Sequence, residues 1–445
     1  MSNEIKEKAL EFAIMAHNGQ KRKSSPEEPM IFHPIIAGRI LEHYGFDDNV
    51  VAAAYLHDVV EDTKYGEDDI LSLFGDDIAS LVMGASEPDK SLSWEERKQH
   101  TIEFTKTLDL RHKAVICADK IANLEDLEIQ FGKSGQQNFC AFKRGFNEQK
   151  WYFESMYDSL IFNENSDNVL FSRLKRAIDI IFRNEKYNSD AYEYLSPSQY
   201  RNLEYLHFCK AKLMKYKQVM GSTDPYTVEF TGTPRTGKTS TINNLIDFFK
   251  KSGFDIKLLE EFTTSKEYKE EIKPSLENAT SYEKCLLIPS IVAQKLTDLQ
   301  SKHPDIILED RGLFDRMIWI ERLRQKGEIT ETQYDEYMKS AIPLVKANTN
   351  LVIATYAFPS VSLKRDYVAY LSLEERSFIN LQNISEYNHA LGRTLQLARD
   401  NGIPCYLIDT NKSTINDTVM EAAHVVVGNL KPYYLEKAKE YVKRS

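Results

Sequence analysis

The stretch VVAAAYLHDVVEDT, residues 50 to 63, sets four ionisable side chains into an otherwise apolar run with helical spacing. An ionised group buried there alone would cost several kcal/mol, so the fold must give His57, Asp58, Glu61 and Asp62 a shared cavity that holds something to compensate them. A metal ion meets that need. His57 and Glu61 are four apart, as are Asp58 and Asp62, so each pair shares a helix face and all four can surround one point. The plainer alternative, an acidic helix end, accounts for His-Asp alone but not for His-Asp followed one turn later by Glu-Asp.

The neighbouring sequence reads as all helix. Residues 3 to 17 repeat apolar side chains at three and four, and a polar loop runs from Gln20 to Pro29. A helix follows His33-Pro34 and stops at Gly45, with Asp47 or Asp48 placed to cap the next one, which is expected to run unbroken to Asp62-Thr63. Further helices are expected over 67–74, 76–84, from Ser93 with Glu96 as a capping box, and through AVICADKIANLEDLEIQF. In that last helix Asp119 and Asn123 are four apart beside an apolar stripe, so both can point into the same pocket. His33 completes the ligand set. His33, His57, Asp58 and Asp119 offer two nitrogen and two oxygen donors, a mix that suits Mn²⁺, Fe²⁺ or Zn²⁺. Lys21, Arg22 and Lys23 lie close by in sequence and can neutralise phosphates, arginine being the better planar partner; a basic run otherwise simply faces water.

Composition limits the classes of function. With 67 acidic against 57 basic residues the net charge is −10, which disfavours nucleic acid or a membrane surface as the main partner and leaves small anionic substrates open, since local clusters can be basic. The five cysteines are widely spaced without a CxxC, no apolar run reaches 18 residues, and no export signal opens the chain, so a cytoplasmic protein is expected. An oligomer is compatible with these features.

AHNGQKRK at 16–23, FHP at 32–34, LHDVVEDT at 56–63, FGDDIASLV at 74–82 and ADKIANL at 118–124 together resemble the hydrolase half of RelA/SpoT enzymes, and SLSWEERK at 91–98 resembles the small alarmone hydrolases. The resemblance spans about residues 1–180. It implies an HD-domain enzyme that removes the 3′-diphosphate of (p)ppGpp-like alarmones with Mn²⁺ held by His33, His57, Asp58 and Asp119. It also implies that Glu61 and Asp62 handle the water, Arg22 contacts nucleotide and Asn123 contacts the ribose. From below, the chemistry agrees: a divalent ion lowers the pKa of a bound water, and carboxylates one turn along can orient it. Another 3′- or 2′-phosphorylated nucleotide is the alternative substrate.

Helical spacing continues through 150–162, 168–182 and 197–216, and the pattern is interrupted between Asn184 and Pro225. The expected domains are 1–183, a helical connector 184–224, and 225–445. In the last of these the style changes to alternating strand and helix. YTVEFTGTPRTGKTS is a strand running into Gly232-x4-Gly237-Lys238-Thr239-Ser240 and then a helix, a Walker A loop in its required context. Its backbone N–H groups can wrap phosphates, Lys238 reaches the terminal ones, and Thr239 can ligate Mg²⁺, so ATP with Mg²⁺ is the expected cofactor. Strands at 255–261, 305–311, 350–356 and 404–410, with helices such as 281–302 and 372–399, predict a three-layer domain on a parallel sheet. Glu260 or Glu261 closes one strand and Glu309-Asp310-Arg311 another, where ligands bind in such sheets.

GTPRTGKTS, LLEEF, LEDRGLFDR at 308–316 and SLKRDY at 362–367 resemble the thymidylate kinase and deoxynucleoside kinase group over about 226–428. That implies Glu261 at an acceptor hydroxyl, Asp310 and Arg311 holding acceptor or Mg²⁺, and lid cations among Lys364, Arg365 and Arg376. Two departures are the missing proline after Glu261 and Gly312 after Asp-Arg. The expected architecture is thus multidomain: an all-α HD-domain hydrolase followed by an α/β P-loop NTPase. That second domain is read either as a kinase or as a nucleotide sensor that gates the hydrolase.

Overall fold

The computed structural model describes residues 2–23, 25–87, 91–134, 144–165, 168–182, 197–366 and 379–444. Its contacts divide into two units, Met1–Gly221 with Lys431–Ser445, and Ser222–Leu430.

The described secondary structure of the first unit is helical: α1 (Ser2–Ala16), α2 (Phe32–His43), α3 (Asp48–Leu56), α4 (Val59–Asp62), α5 (Glu67–Phe74), α6 (Asp76–Ala85), α7 (Trp94–Thr107), α8 (Leu110–Ser134), α9 (Phe146–Ile161), α10 (Val169–Phe182) and α11 (Pro197–Met220). Local chemistry sets the ends. Asp47 accepts from the N–H groups of Asn49 and Val50 at the start of α3, and Ser93 with Glu96 forms the anticipated capping box on α7. Helix α3 is buried on every side from Val50 to Leu56, which fits a central position with α1, α2, α6 and α8 packed on it.

The single helix expected across 50–63 is broken at its two metal-type residues. α3 ends at Leu56 and α4 begins at Val59, leaving His57 and Asp58 in the turn between. The reason is local: His57 Nδ1–H donates to the Ala54 carbonyl at 2.8 Å, the acceptor that the Asp58 N–H would use in a continuous helix. Helical bonding resumes at once, since the Asp62 N–H reaches the Asp58 carbonyl at 2.9 Å.

Helix α11 falls within the expected connector, of which 184–196 lie outside the described residues. It packs on α2 and α8 and buries Leu206, Cys209, Leu213 and Tyr216, so it groups with the first unit. The residues from Lys431 onward, in the helix Ile415–Arg444, also group there rather than with 225–430; Arg39 Nη2 donates to Tyr441 Oη at 3.2 Å.

The second unit carries β1 (Tyr226–Gly232), α12 (Lys238–Lys251), β2 (Ile256–Leu259), α13 (Lys273–Ser275), α14 (Ser281–Gln300), β3 (Ile306–Asp310), α15 (Leu313–Gln325), α16 (Glu331–Asn348), β4 (Leu351–Tyr356), α17 (Pro359–Lys364), the helix Leu381–Asp400 and β5 (Cys405–Asp409). All strands are parallel, in the order β2-β3-β1-β4-β5. Alternation sends Ile307, Val352 and Ala354 into one core with α14, α15, α16 and Leu381–Asp400, while α12 runs along β1, β2 and β3. The helix expected over 372–399 begins, in its described part, at Leu381. Because β1 sits between β3 and β4, the carboxyl ends of β1 and β3 open side by side, the place where such sheets bind ligands.

Candidate functional site

In the first unit, the turn between α3 and α4 brings His57 and Asp58 to His33 at the start of α2, and ligand atoms of these three lie within 4.8 Å of one another. Asp119 on α8 joins them: its Oδ1 is 3.0 Å from His33 Nε2 and 3.6 Å from His57 Nε2, while Asp58 oxygens lie 3.7 Å and 3.3 Å from those two nitrogens. Both histidines are almost fully buried. With Nδ1–H committed to Ala54, His57 turns Nε2 towards two carboxylates, and that buried atom has no hydrogen-bond partner. An orphaned imidazole nitrogen facing two acids is the donor arrangement a divalent cation fits. Burial works against a charged His57, but Asp58 and Asp119 outweigh it and push its pKa up to about 9. Burial and the Arg22 charge move His33 the other way, below its ordinary value. Asp119 sits well below the carboxylate range despite its burial, because Lys120, His33 and His57 favour its charge.

Around the four ligands, Asn123 Nδ2 donates to Asp119 Oδ1 at 2.6 Å, and Asn123 Oδ1 accepts from Arg22 Nη2 at 3.2 Å. Arg22 Nη2 also lies 3.3 Å from His33 Nδ1, and Arg22 donates to Asp126 Oδ2 from Nε at 3.0 Å and Nη2 at 2.8 Å. The loop that carries Arg22 is closed on itself by Arg22 N–H to Glu28 O at 3.0 Å and Met30 N–H to Gln20 O at 3.0 Å. Glu61 is half-buried and its Oε1 accepts from the Glu87 N–H at 2.8 Å; Asp62 is exposed, one residue further round α4.

In the second unit the Walker A loop is tightly packed. Gly232 has φ +119°, and a Cβ there would come within 2.0 Å of the Thr355 carbonyl on β4, so only glycine fits. Gly237 ends the loop in the left-handed region at φ +87°, and α12 starts at Lys238, with Thr239 and Ser240 exposed in its first turn. Lys238 Nζ donates to the Gly232 and Thr233 carbonyls at 3.2 and 3.1 Å, and burial, with Arg311 nearby, lowers its pKa to about 7. Thr239 Oγ1 donates to Asp310 Oδ2 at 3.1 Å, while the buried Asp310 Oδ1 has no hydrogen-bond partner. A hydroxyl and an acid with an orphaned oxygen are donors suited to Mg²⁺.

Arg311 is held in place: Nη1 donates to Asp315 at 2.9 Å and Tyr387 at 3.2 Å, Nη2 to the Gly232 carbonyl at 3.1 Å, and Nε lies 3.6 Å from Glu261. Of the lid cations, Lys364 is exposed, Arg365 is tied to Thr410 through its hydroxyl and carbonyl, and Arg376 lies outside the described residues. Gly312 has a packing reason, since a Cβ there would stand 1.8 Å from Glu309 Oε2 and 2.9 Å from Glu229 Oε2. Those two buried glutamates face each other on β1 and β3.

The HD domain family matches residues 9–140. Guanosine-3′,5′-bis(diphosphate) 3′-pyrophosphohydrolase MESH1 of Drosophila melanogaster is 41% identical over 122 residues, 27% of this chain and 68% of that protein. The chain belongs to the HD-domain (p)ppGpp hydrolase family. A solved structure described as a metazoan ortholog of SpoT that hydrolyses ppGpp is similar to this hydrolase at 32% identity, covering 40% of this chain and 94% of its own, with a TM-score of 0.33. A deoxyadenosine kinase from M. mycoides with bound dATP is similar at 16% identity over 45% of this chain and 99% of its own, with a TM-score of 0.32.

In this hydrolase the four expected ligands come together, with Arg22 and Asn123 beside them. Sequence reading missed Asp126, although it follows Asp119 and Asn123 at helical spacing and so shares their face of α8. It also missed Asp315, which accepts from Thr231, Tyr387, Arg311, Arg316 and Trp319 and is fully buried; its position four after Arg311 was the available signal. Tyr387 has no local signature.

Proposed function

We propose that the helical unit removes the 3′-diphosphate of (p)ppGpp-like nucleotides, with Mn²⁺ at His33, His57, Asp58 and Asp119. The observation that supports this most is the convergence of those four donors around the orphaned His57 Nε2, with an arginine and an asparagine beside them. A bound divalent ion would acidify a water and draw charge from a phosphoryl oxygen. Asp119 is kept ionised by Lys120 and oriented by Asn123, so it is ready as a ligand without first losing a proton. Glu61 and Asp62 orient the attacking water and take its proton; water adds at the phosphorus next to the ribose 3′-oxygen, that P–O bond breaks, and the 3′-oxygen leaves as a hydroxyl. Arg22 offers its planar fork to the phosphates and Asn123 meets the ribose. The test is turnover by the full-length chain, stripped of metal and resupplied with Mn²⁺, on a panel of 3′- and 2′-phosphorylated guanosine and adenosine nucleotides. Release of pyrophosphate from the guanosine alarmones supports the reading; turnover confined to another 3′- or 2′-phosphate would redirect it.

The second unit, in this reading, binds ATP and Mg²⁺ through Gly232, Gly237, Lys238, Thr239, Ser240 and Asp310 and passes a phosphoryl group to a nucleoside or nucleotide, with Glu261 at the acceptor hydroxyl. A second reading, a nucleotide sensor that gates the hydrolase, is favoured by one observation: Arg311 is already bonded to Asp315, Tyr387 and Gly232. Labelled ATP with an acceptor panel separates the two. Transfer lost in Lys238→Ala and Glu261→Gln favours the kinase, whereas an ATP-dependent change in hydrolase rate without transfer favours the sensor.

A further inference from the structure

The Arg22 loop does not stand alone. Behind it Glu28, with no exposed surface, accepts from Lys212 and Lys215 of α11 and from Tyr216 Oη at 3.0 Å. Lys212 Nζ also donates to Ser25 Oγ at 2.8 Å. Lys215 reaches further and donates to Asp126 Oδ1, while the other oxygen of Asp126 holds Arg22. Both lysines are nearly fully buried. A continuous set of charges thus runs from α11 through Asp126 and Glu28 to both the side chain and the backbone of the arginine loop, because the Glu28 carbonyl accepts the Arg22 N–H. Buried ion pairs add little net stability over apolar packing, so such a set makes more sense as a fixture of geometry.

We infer that α11 is a working part of the hydrolase site: Lys215, seconded by Lys212, is a positioning residue that fixes Arg22 through Asp126 and Glu28 in the pose that receives the substrate phosphates. The inference rests on the reading of Arg22 as a substrate contact. It goes beyond that reading because α11 lies outside residues 9–140, where the HD family matches, and only Gly221 to Pro225 separate it from β1 of the nucleotide loop. The substrate arginine is therefore held by the segment that leads into the second unit.

The experiment uses the full-length Mn²⁺ enzyme and ppGpp. Lys215→Met is expected to raise KM roughly tenfold, since a small misplacement of an anchoring group is felt that strongly, while kcat stays within about twofold and Mn²⁺ affinity by calorimetry is unchanged. Lys215→Arg restores the wild-type KM. Lys215→Met added to Arg22→Ala makes KM no worse than Arg22→Ala alone, because the two act through one contact. Should Lys215→Met fail to fold with Asp126 and Glu28 each one cation short, Lys215→Met with Asp126→Asn removes one of those buried charges and is expected to raise KM in the same direction. An unchanged KM in folded Lys215→Met, or a parallel loss of Mn²⁺ affinity that marks general loosening, overturns the inference. If the wild type turns over no alarmone, the hydrolase reading fails, and hydrogen exchange still decides positioning. The amides of Arg22, Ser25, Glu28 and Met30, hydrogen-bonded within the loop, exchange faster in Lys215→Met and as in wild type in Lys215→Arg; no difference overturns it.

Discussion

His57 shows how much one side chain organises. Its Nδ1–H takes the Ala54 carbonyl, which ends α3, fixes the tautomer and leaves Nε2 for a ligand in the same stroke. The gathering of His33, His57, Asp58 and Asp119 was legible in sequence because His-Asp and Asp-x3-Asn carry chemistry that a purely structural helix avoids, whereas the helix break was not legible, since periodicity carries no record of which donor a carbonyl accepts. Asn123 plays a parallel part at Asp119, donating to Oδ1 at 2.6 Å. Asn123→Ala should therefore weaken Mn²⁺ binding about tenfold, as loss of an outer partner of a ligand does, with calorimetric titration as the check. The same logic at Gly232 gives a sharper outcome: Gly232→Ala forces a methyl to within 2.0 Å of the Thr355 carbonyl. Strand β4 must shift, so ATP binding should be lost and the second unit destabilised by about 3 kcal/mol or more, read by nucleotide titration and urea unfolding.

At the scale of elements, α8 and α11 contrast. α8 was readable because Asp119, Asn123 and the apolar stripe share one local period, yet Asp126 was missed because its partners Arg22 and Lys215 come from distant segments. Lys212 and Lys215 look in sequence like any solvated helix face; their buried partners are Glu28, 184 and 187 residues away, with Ser25 and Asp126 beside it. The sheet holds a similar surprise in β1 and β3. Glu229 accepts the N–H groups of Phe314 and Asp315 at 2.8 Å, capping α15, and burial with Asp315 nearby pushes its pKa up to about 8, against the pull of those N–H groups and Arg316. Burial and Glu229 raise Glu309 as well. Raised acids keep a proton in the folded chain that the unfolded chain releases. Their contribution to stability is thus full below the ordinary value of 4.5 and is lost as pH rises through about 8. The urea midpoint reported by Trp319, with Trp94 and Trp151 replaced by phenylalanine, should fall steadily from pH 5 to pH 8 (about the interval between the two values), and Glu309→Gln should make that fall shallower. A midpoint that is flat or rises over the same interval contradicts the assignment.

For the whole molecule, the division into a helical hydrolase and a parallel α/β unit was legible because the period of apolar residues changes near Pro225 and because the Walker A loop demands a strand before it and a helix after it. Less legible were the loyalties of α11 and of the residues from Lys431 onward, which depend on long-range burial rather than on any break in pattern. Among the described residues no helix is long and apolar enough to cross a membrane, and Cys117, Cys209, Cys285 and Cys405 are free thiols. The central claim is that four residues from α2, the α3–α4 turn and α8 hold one metal for alarmone hydrolysis. It is tested most directly by pyrophosphate release from ppGpp by the metal-stripped full-length chain resupplied with Mn²⁺, wild type beside His57→Ala. Mn²⁺-dependent release by the wild type, lost together with Mn²⁺ binding in His57→Ala, is the predicted result. Equal release by both proteins, or none from any 3′-phosphorylated nucleotide with Mn²⁺ present, would contradict it.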